Sequence, residues 1–360
     1  MSESIPIPTH QKALILPAKF GTYTISEIPV PTPVGPGEVL IRVDAAAINP
    51  VDWEIPEWGI IVEKYPAVIG SDAAGVVVKV GEGVTYLKVG DKVFCLARYD
   101  DSRKAGFQQY AIAEADTCCK LPSNISIEQA ASISACLATS AVVLYGEIWE
   151  GGGFGLAPPW HEGGRGKYAG QPIVILGGAS SLGQYGIQLA KLSGFLPIIT
   201  TASKHNTDLL KSLGATHVID RKLPPSQIVS EIAQITNNTP IKFVYDCISV
   251  KETQNLGYDI VAKGGRMIIV LFDEIDKEKK EKEAKEYNMV RAGVIRPSVQ
   301  RLFEELFKGV GKALIEAGEL RPNPIEVLPG GLAAVPEGAQ RLKKNLVSGK
   351  KLIVRPQETP

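Results

Sequence analysis

The chain has 360 residues, 44% of them hydrophobic and 22% charged, with 39 basic residues against 39 acidic ones. That balance leaves no basic excess to hold nucleic acid by counterion release and no polybasic cluster for a membrane surface, and the composition excludes a disordered chain. No apolar run reaches the roughly 18 residues of a bilayer span, and the polar stretch 1–10 lacks the apolar core of a secretory signal, so a cytoplasmic protein of two domains or one large α/β unit is expected.

The first third reads as β-rich. Segments 12–16, 23–28, 39–46, 75–80 and 92–96 are short β-branched runs. Proline and glycine punctuate them, as at Pro29, Pro31 and Pro33 and at Gly35, Pro36 and Gly37. A small, strongly curved sheet is expected. Ser126 and Gln129 have the spacing of a capping box at a helix start, and the alanine-rich segment 138–147 predicts a second helix. Residues 151–170 include eight glycines, with Trp160 and His161 among them. They read as a long surface loop, or as a lid over a substrate cleft.

Beyond residue 171 the pattern changes. Strands are expected at 172–176, 196–201, 217–219, 243–246 and 267–271, alternating with helices at 182–193, 207–213, 226–236 and 252–261. Continuous apolar strands divided by amphipathic helices predict a parallel sheet covered on both faces. Residues 273–288 carry 12 charges in 16 residues. They read as an exposed helix of opposite-charge neighbours, hydrophilic enough to discourage edge pairing, which favours a monomer. The tail 298–343 reads as helical, and 351–355 as a last strand. The five cysteines, Cys95, Cys118, Cys119, Cys136 and Cys247, are odd in number and form no CxxC pair. They are expected to be small buried residues.

One segment carries ligand chemistry. A buried strand enters Gly177, Gly178, Ala179, Ser180, Ser181, Leu182 and Gly183 and continues as a helix, which is the context of a dinucleotide site. Small residues admit a pyrophosphate to the backbone, and the helix N-terminus supplies N–H donors and positive dipole. Ser180 and Ser181 stand where the usual fingerprint has glycine, and their hydroxyls are candidate phosphate donors. The next strand ends in Ser203, Lys204, His205 and Asn206, with no carboxylate for the ribose hydroxyls of NAD. Those residues, with Arg221 after the third strand, suit a 2′-phosphate. NADPH is expected rather than NADH.

With these motifs in place the chain resembles the medium-chain dehydrogenase/reductases, the alcohol dehydrogenase and quinone oxidoreductase superfamily. The likeness rests on residues 45–53 (AAAINPVDW), Gly70-Ser71-Asp72 with the following Ala73, Ala74 and Gly75, Val89-Gly90-Asp91, Gly106 to Tyr110, the phosphate turn, and Ser348-Gly349-Lys350-Lys351-Leu352. It implies an α/β chain with a GroES-like β-rich catalytic domain from 1–140 and 304–360. A Rossmann doubly wound domain at 141–303 would carry the glycine-rich loop 147–170 at its start. Within the superfamily the chain is similar to fungal zinc-independent members, the ToxD-like reductases and the trans-acting enoyl reductases that serve polyketide synthases. That resemblance implies NADPH contacts at Val51, Asp52, Trp53, Glu54, Ala179, Ser180, Ser181, Leu182, Ser203, Lys204, His205, Asn206, Arg221, Val270, Leu271, Ser348 and Gly349. It implies a substrate pocket lined by Cys136, Leu137, Ala138, Thr139, Val143, Val290, Gly293 and Val294. The chain departs from that group at Glu54, where a lysine is common, and at Arg221, where a tyrosine is.

Zinc members of the superfamily carry cysteine near Asn49 and His-Glu at Ser71-Asp72, and a four-cysteine lobe where residues 98–112 here have none. A zinc site needs three or four Cys, His or carboxylate ligands, and only Asp52, Glu54 and Asp72 are near, so no metal is expected. Without a Lewis acid, hydride addition to a C=C conjugated with a carbonyl is easier than reduction of a simple ketone. The expected activity is NADPH-dependent reduction of an enoyl thioester or an α,β-unsaturated carbonyl, on a small-molecule or carrier-bound substrate. The alternatives are a quinone or aldehyde/ketone reductase, and an NADPH-binding protein without turnover. The catalytic candidates are Asn49, to hydrogen-bond a carbonyl oxygen or ribose, Asp52, to order its loop, and Tyr145 as proton donor. No proton donor stands out: Tyr65 and Tyr110 are candidates beside Tyr145, packing is the favoured reading of each, and water is the alternative source of the final proton. His161 and His217 are expected to be structural.

Overall fold

A computed structural model describes residues 6–149, 152–290 and 296–360. The chain divides into two compact units, Met1–Ala135 with Phe303–Gly318 and Pro322–Pro360, and Cys136–Leu302 with Glu319–Arg321. The first boundary falls at Ala135 rather than at the expected residue 140, one residue into the helix Ser134–Tyr145.

In the first unit, a seven-stranded sheet runs in the order Ile325–Val327, Lys351–Val354, Glu38–Ile48, Asp72–Val80, Lys92–Leu96 and Cys118–Lys120, with Tyr110–Glu114 also paired to Glu38–Ile48. Strands Thr24–Pro29, His10–Leu16 and Ala67–Val68 form a second, three-stranded sheet. The long strands Glu38–Ile48 and Asp72–Val80 pair antiparallel, with two register shifts that sharpen the local twist. Gly75 is required there, because a Cβ would lie 1.8 Å from the Arg42 carbonyl oxygen. Apolar side chains such as Leu14, Val39, Ile41 and Phe107 fill the core of this unit. Ser126 caps the helix Ile127–Ala131 through the expected capping box with Gln129.

The second unit holds an all-parallel six-stranded sheet. Its order is His217–Asp220, Ile198–Ala202, Ile173–Leu176, Phe243–Asp246, Arg266–Ile269 and Glu286–Met289. In chain order this is 3-2-1-4-5-6, the Rossmann arrangement, in which the strand order reverses beside the first strand. Ile173–Leu176 is buried at every residue, as expected of a strand flanked on both sides and covered on both faces.

Two expectations are corrected. The charged run contains only one short helix, Lys277–Lys282, and its end, Glu286–Met289, is the sixth strand of the sheet. The alternation of Tyr287 and Met289 against the Tyr258 and Ile269 core supplies the packing that the charge count concealed. The tail is not uniformly helical. It breaks into Pro297–Glu304, a π-helical turn Glu305–Val310, Gly311–Glu316, the strand Ile325–Val327 and the helix Val335–Lys343. Over residues 159–170 the glycine-rich segment is a series of turns and bends fixed to its unit. Tyr168 stacks on Phe195 at 5.1 Å, Trp160 meets Tyr145 edge-on at 5.2 Å, and Arg165 pairs with Glu319. Those anchors give it the character of a packed loop rather than a lid. Among the described residues, no helix is long and apolar enough to cross a membrane.

Candidate cofactor and active site

In the second unit, the chain leaves the buried strand Ile173–Leu176 through Gly177 at φ +78, a conformation open to glycine. Gly178 follows with no room for a side chain, since a Cβ would lie 2.1 Å from Thr200 Oγ1. The turn is pinned to the neighbouring strand, where Gly177 N–H donates to Thr201 Oγ1 and Gly178 N–H to the Thr201 carbonyl, both at 3.1 Å. Ser180 is the N-cap of the helix Ser181–Ser193, and its hydroxyl accepts from Gly183 N–H at 3.0 Å. The Ser180 carbonyl accepts from Gln184 N–H. Helix geometry then leaves the N–H groups of Ser181 and Leu182 without intrahelical acceptors, at the positive end of the helix dipole. The Ser180 hydroxyl therefore caps the turn as an acceptor and keeps its own O–H as a donor beside these backbone groups.

The next strand, Ile198–Ala202, delivers Ser203 beside the third, with Ala202 in register with Asp220. Arg221 N–H donates to the Ala202 carbonyl, and its side-chain Nε donates to Ser203 Oγ at 2.9 Å. Lys204 is 4.0 Å from Asp220, with 82% of its side chain exposed. The fold thus gathers Ser203, Lys204 and Arg221 at the ends of two neighbouring strands, with His205 and Asn206 bonded to each other in the turn after the first of them. Val270 and Leu271 are half-buried after the strand Arg266–Ile269, where Val270 N–H donates to Ser249 Oγ.

The first unit holds a buried polar network. Asn49 follows the end of the long strand Glu38–Ile48, and its N–H donates to Asp52 Oδ2 at 2.7 Å. Its side-chain Nδ2 donates to Asp72 Oδ2 at 2.8 Å and to Ser71 Oγ at 3.1 Å. Its Oδ1 accepts from Lys351 Nζ at 2.5 Å, and the same ammonium is 3.4 Å from Asp72 Oδ2. The other oxygen of Asp72 accepts from Ala135 N–H. Asn49, Asp52, Ser71, Asp72 and Lys351 are all at most 6% exposed. Burial pushes the Asp52 carboxyl up to about 8, with Asp72 and Glu54 adding to the rise, and burial alone raises Glu54 to about 7. Val51, Asp52, Trp53 and Glu54 lie in the helix Val51–Trp58, which is separated from Asn49 by its N-cap Pro50 alone. Ser348 and Gly349 lie just before Lys350 and the strand Lys351–Val354, whose Leu352 is in register with Ile48.

Sequence reading missed Lys351. The available signal was a lysine opening an otherwise apolar strand, KLIV, every residue of which is buried. The Tyr145 hydroxyl donates to the Leu189 carbonyl and lies 2.8 Å from Ser193 Oγ, and burial raises its pKa above the ordinary phenol range. It packs helix against helix and is withdrawn as a proton donor. Cys136, Leu137, Ala138 and Val143, assigned to a substrate pocket, are buried within the helix Ser134–Tyr145, while Thr139 and Val290 keep partial exposure. Gly293 and Val294 lie outside the described residues.

Residues 35–123 match the alcohol dehydrogenase GroES-like domain, and residues 181–304 match the zinc-binding dehydrogenase domain. The chain is 31% identical to trans-enoyl reductase RAP1 of Pyricularia oryzae, across 97% of this chain and 99% of that protein. The chain belongs to the medium-chain dehydrogenase/reductase family. Another relative is the enoyl reductase component lovC of the Aspergillus terreus lovastatin nonaketide synthase, 30% identical over 90% of this chain and 91% of that one. Among solved structures, the crotonyl-CoA carboxylase/reductase AntE in complex with NADP has the same fold, with a TM-score of 0.74 at 20% identity, covering 97% of this chain and 95% of that one. As a medium-chain dehydrogenase/reductase, the chain interrupts the GroES-like unit in sequence with the Rossmann unit, and after that interruption the strand Lys351–Val354 pairs with Glu38–Ile48 of the first unit.

Proposed function

We propose that this medium-chain dehydrogenase/reductase is an NADPH-dependent enoyl reductase that works without zinc. The observation that carries the reading is the phosphate turn at 177–183 together with the Ser203–Arg221 pair. One supplies backbone donors beside two glycines that no larger residue can replace, and the other supplies a fixed guanidinium at the neighbouring strand end. Ser181 and Leu182 N–H would bind the diphosphate. Arg221, held in place by Ser203, would bind the 2′-phosphate with Lys204, an ionic contact that NADH does not offer. The remaining contacts implied by resemblance, Val51 to Glu54, His205, Asn206, Val270, Leu271, Ser348 and Gly349, are kept as part of this proposal.

When bound, the nicotinamide supplies the hydride. The curated relatives RAP1 and lovC are named as enoyl reductases, which supports a conjugated C=C as acceptor here. The Asn49–Asp72–Lys351 network supports chemistry without a metal. Its donors are one amide, one hydroxyl and a carboxylate already neutralised by an ammonium, and such a set does not fit tetrahedral zinc. Asn49 and Asp52 therefore act by positioning, holding the start of helix Val51–Trp58 against the end of its strand. The proton that completes the saturated product is taken from solvent. The reading includes a cytoplasmic location and a monomer; the monomer is supported by the outer strand Glu286–Met289, which follows the lysine- and glutamate-rich run and opens on the exposed Glu286.

Fluorescence titration with NADPH and NADH tests the cofactor assignment. Tighter binding of NADPH by at least about tenfold, lost in Arg221→Ala, is expected from one charge-assisted contact. Equal affinity for the two coenzymes would contradict it.

A further inference from the structure

The strands Lys92–Leu96 and Cys118–Lys120 pair antiparallel, and their register sets Cys95 directly opposite Cys118. Directly opposed residues of such a pair have Cα atoms about 4.5–5.5 Å apart, inside the window of about 4.4–6.8 Å that a disulfide spans. The two Sγ atoms are 2.7 Å apart, closer than unbonded sulfurs ordinarily approach. Both residues are almost wholly buried, at 1% and 0% exposure. Tyr86 fixes this end of the strand, its hydroxyl donating to the Cys118 carbonyl. The adjacent Cys119 pairs in register with Phe94 and, one residue along the strand, points to the opposite face. Cys136 and Cys247 belong to the other unit. The fold therefore selects one pair out of five cysteines, although the two lie 23 positions apart in the chain.

We propose that Cys95 and Cys118 are a redox-responsive dithiol that closes to a cross-strand disulfide. With a small disulfide such as oxidised glutathione as oxidant, the thiolate of one cysteine attacks a glutathione sulfur and releases one glutathione thiolate. The second cysteine then attacks the protein sulfur of the mixed disulfide and releases the other. The two thiol protons end on the two glutathiones, so the protein loses two electrons and the oxidant gains them. Burial keeps the Cys118 thiol protonated and unreactive in the closed sheet. Exchange therefore proceeds when strand Cys118–Lys120, the outermost of its sheet, opens. Once formed, the bond is shielded from reductant by the same burial. It would tie that outer strand to Lys92–Leu96, whose Cys95 is in register with Ala73, next to Asp72 of the polar network.

The test uses the full chain in two ways, as folded protein incubated with oxidised glutathione, and as protein refolded from denaturant in a mixture of reduced and oxidised glutathione. Thiols are counted after denaturation, and linkages are mapped on non-reduced peptides. The refolded sample is expected to fall from five thiols to three, to lose about 2 Da of intact mass as two hydrogens leave, and to join the peptides holding Cys95 and Cys118. Cys95→Ser and Cys118→Ser should each keep all four remaining thiols under the same treatment. The folded sample should reach the same endpoint more slowly. Five thiols in the refolded native protein, glutathione adducts in place of the link, or bonds scattered over other cysteines would overturn the proposal.

Discussion

Lys351 donates its ammonium to Asn49 Oδ1 across 2.5 Å, joining the last strand of the chain to the end of its longest one, with both side chains buried. The same ammonium is the counter-charge of the fully buried Asp72. Removing one partner of a buried pair leaves the other uncompensated, which typically costs about 3–5 kcal/mol. Lys351→Met should lower the unfolding free energy by about that amount in urea denaturation. The double variant Lys351→Met/Asp72→Asn should recover much of the loss, because no unpaired charge remains. Additive losses in the double variant would show that the two groups do not act as a pair.

Acidic side chains in the first unit give the chain an unusual pH response. Asp52 and Glu54 sit well above their ordinary values of 3.8 and 4.5, at about 8 and about 7, chiefly through burial. Between the ordinary and raised values the folded state keeps protons that the unfolded state has released. Their contribution to stability is therefore complete below about pH 4 and is lost as pH rises toward 7 to 8, at most about 1.4 kcal/mol per pH unit for each group. Glu54→Gln should flatten the fall in urea midpoint between pH 5 and pH 8. A variant whose midpoint declines as steeply as the native protein's would refute the role assigned to Glu54.

The phosphate turn separates capping from steric fit. Ser180→Ala removes the cap on Gly183 N–H and should cost about 1 kcal/mol of stability, and under the proposal that the backbone N–H groups of Ser181 and Leu182 are the main phosphate donors it should leave most NADPH affinity intact. Gly178→Ala drives a methyl group into Thr200, which is fully buried and bonded to the Ile175 carbonyl. It should cost about 1–3 kcal/mol and weaken NADPH binding as well. Thermal melts with and without NADPH distinguish the two. Loss of NADPH affinity in Ser180→Ala equal to that in Gly178→Ala would make the Ser180 hydroxyl a main phosphate donor.

The Rossmann unit was the more legible half of the chain. Its strands are mostly apolar runs such as IVIL and RMII, and its turn has a local signature, so sequence pattern carries the topology. The sixth strand was hidden because Glu286 and Asn288 alternate with Tyr287 and Met289 inside a run otherwise dominated by lysine and glutamate. The polar network was only partly legible. Asn49, Asp52 and Asp72 fall in recognisable motifs, but Lys351 meets them only through antiparallel pairing of strands some 300 residues apart in sequence. The Cys95–Cys118 approach is equally non-local, since nothing in their spacing announces which cysteines share a register position. Tyr145 shows the reverse error. A tyrosine is chemically able to donate a proton, and only the packing of two helices reveals that Leu189 and Ser193 already take its hydroxyl.

Metal removal bears on the zinc-free reading. Exhaustive dialysis against a chelator should leave turnover with NADPH unchanged, and added zinc should not raise it, because Lys351 already supplies the positive charge that neutralises Asp72. Activity abolished by the chelator and restored by zinc would contradict this.

Deuteride transfer tests the central claim most directly. The full chain is incubated with NADPH deuterated at C4 of the nicotinamide and a short enoyl thioester, and the product is analysed by mass spectrometry and NMR. The account predicts a saturated thioester carrying deuterium at the β-carbon and a solvent proton at the α-carbon. Deuterium on a carbonyl-derived alcohol carbon, or NADPH bound without any transfer, would contradict it.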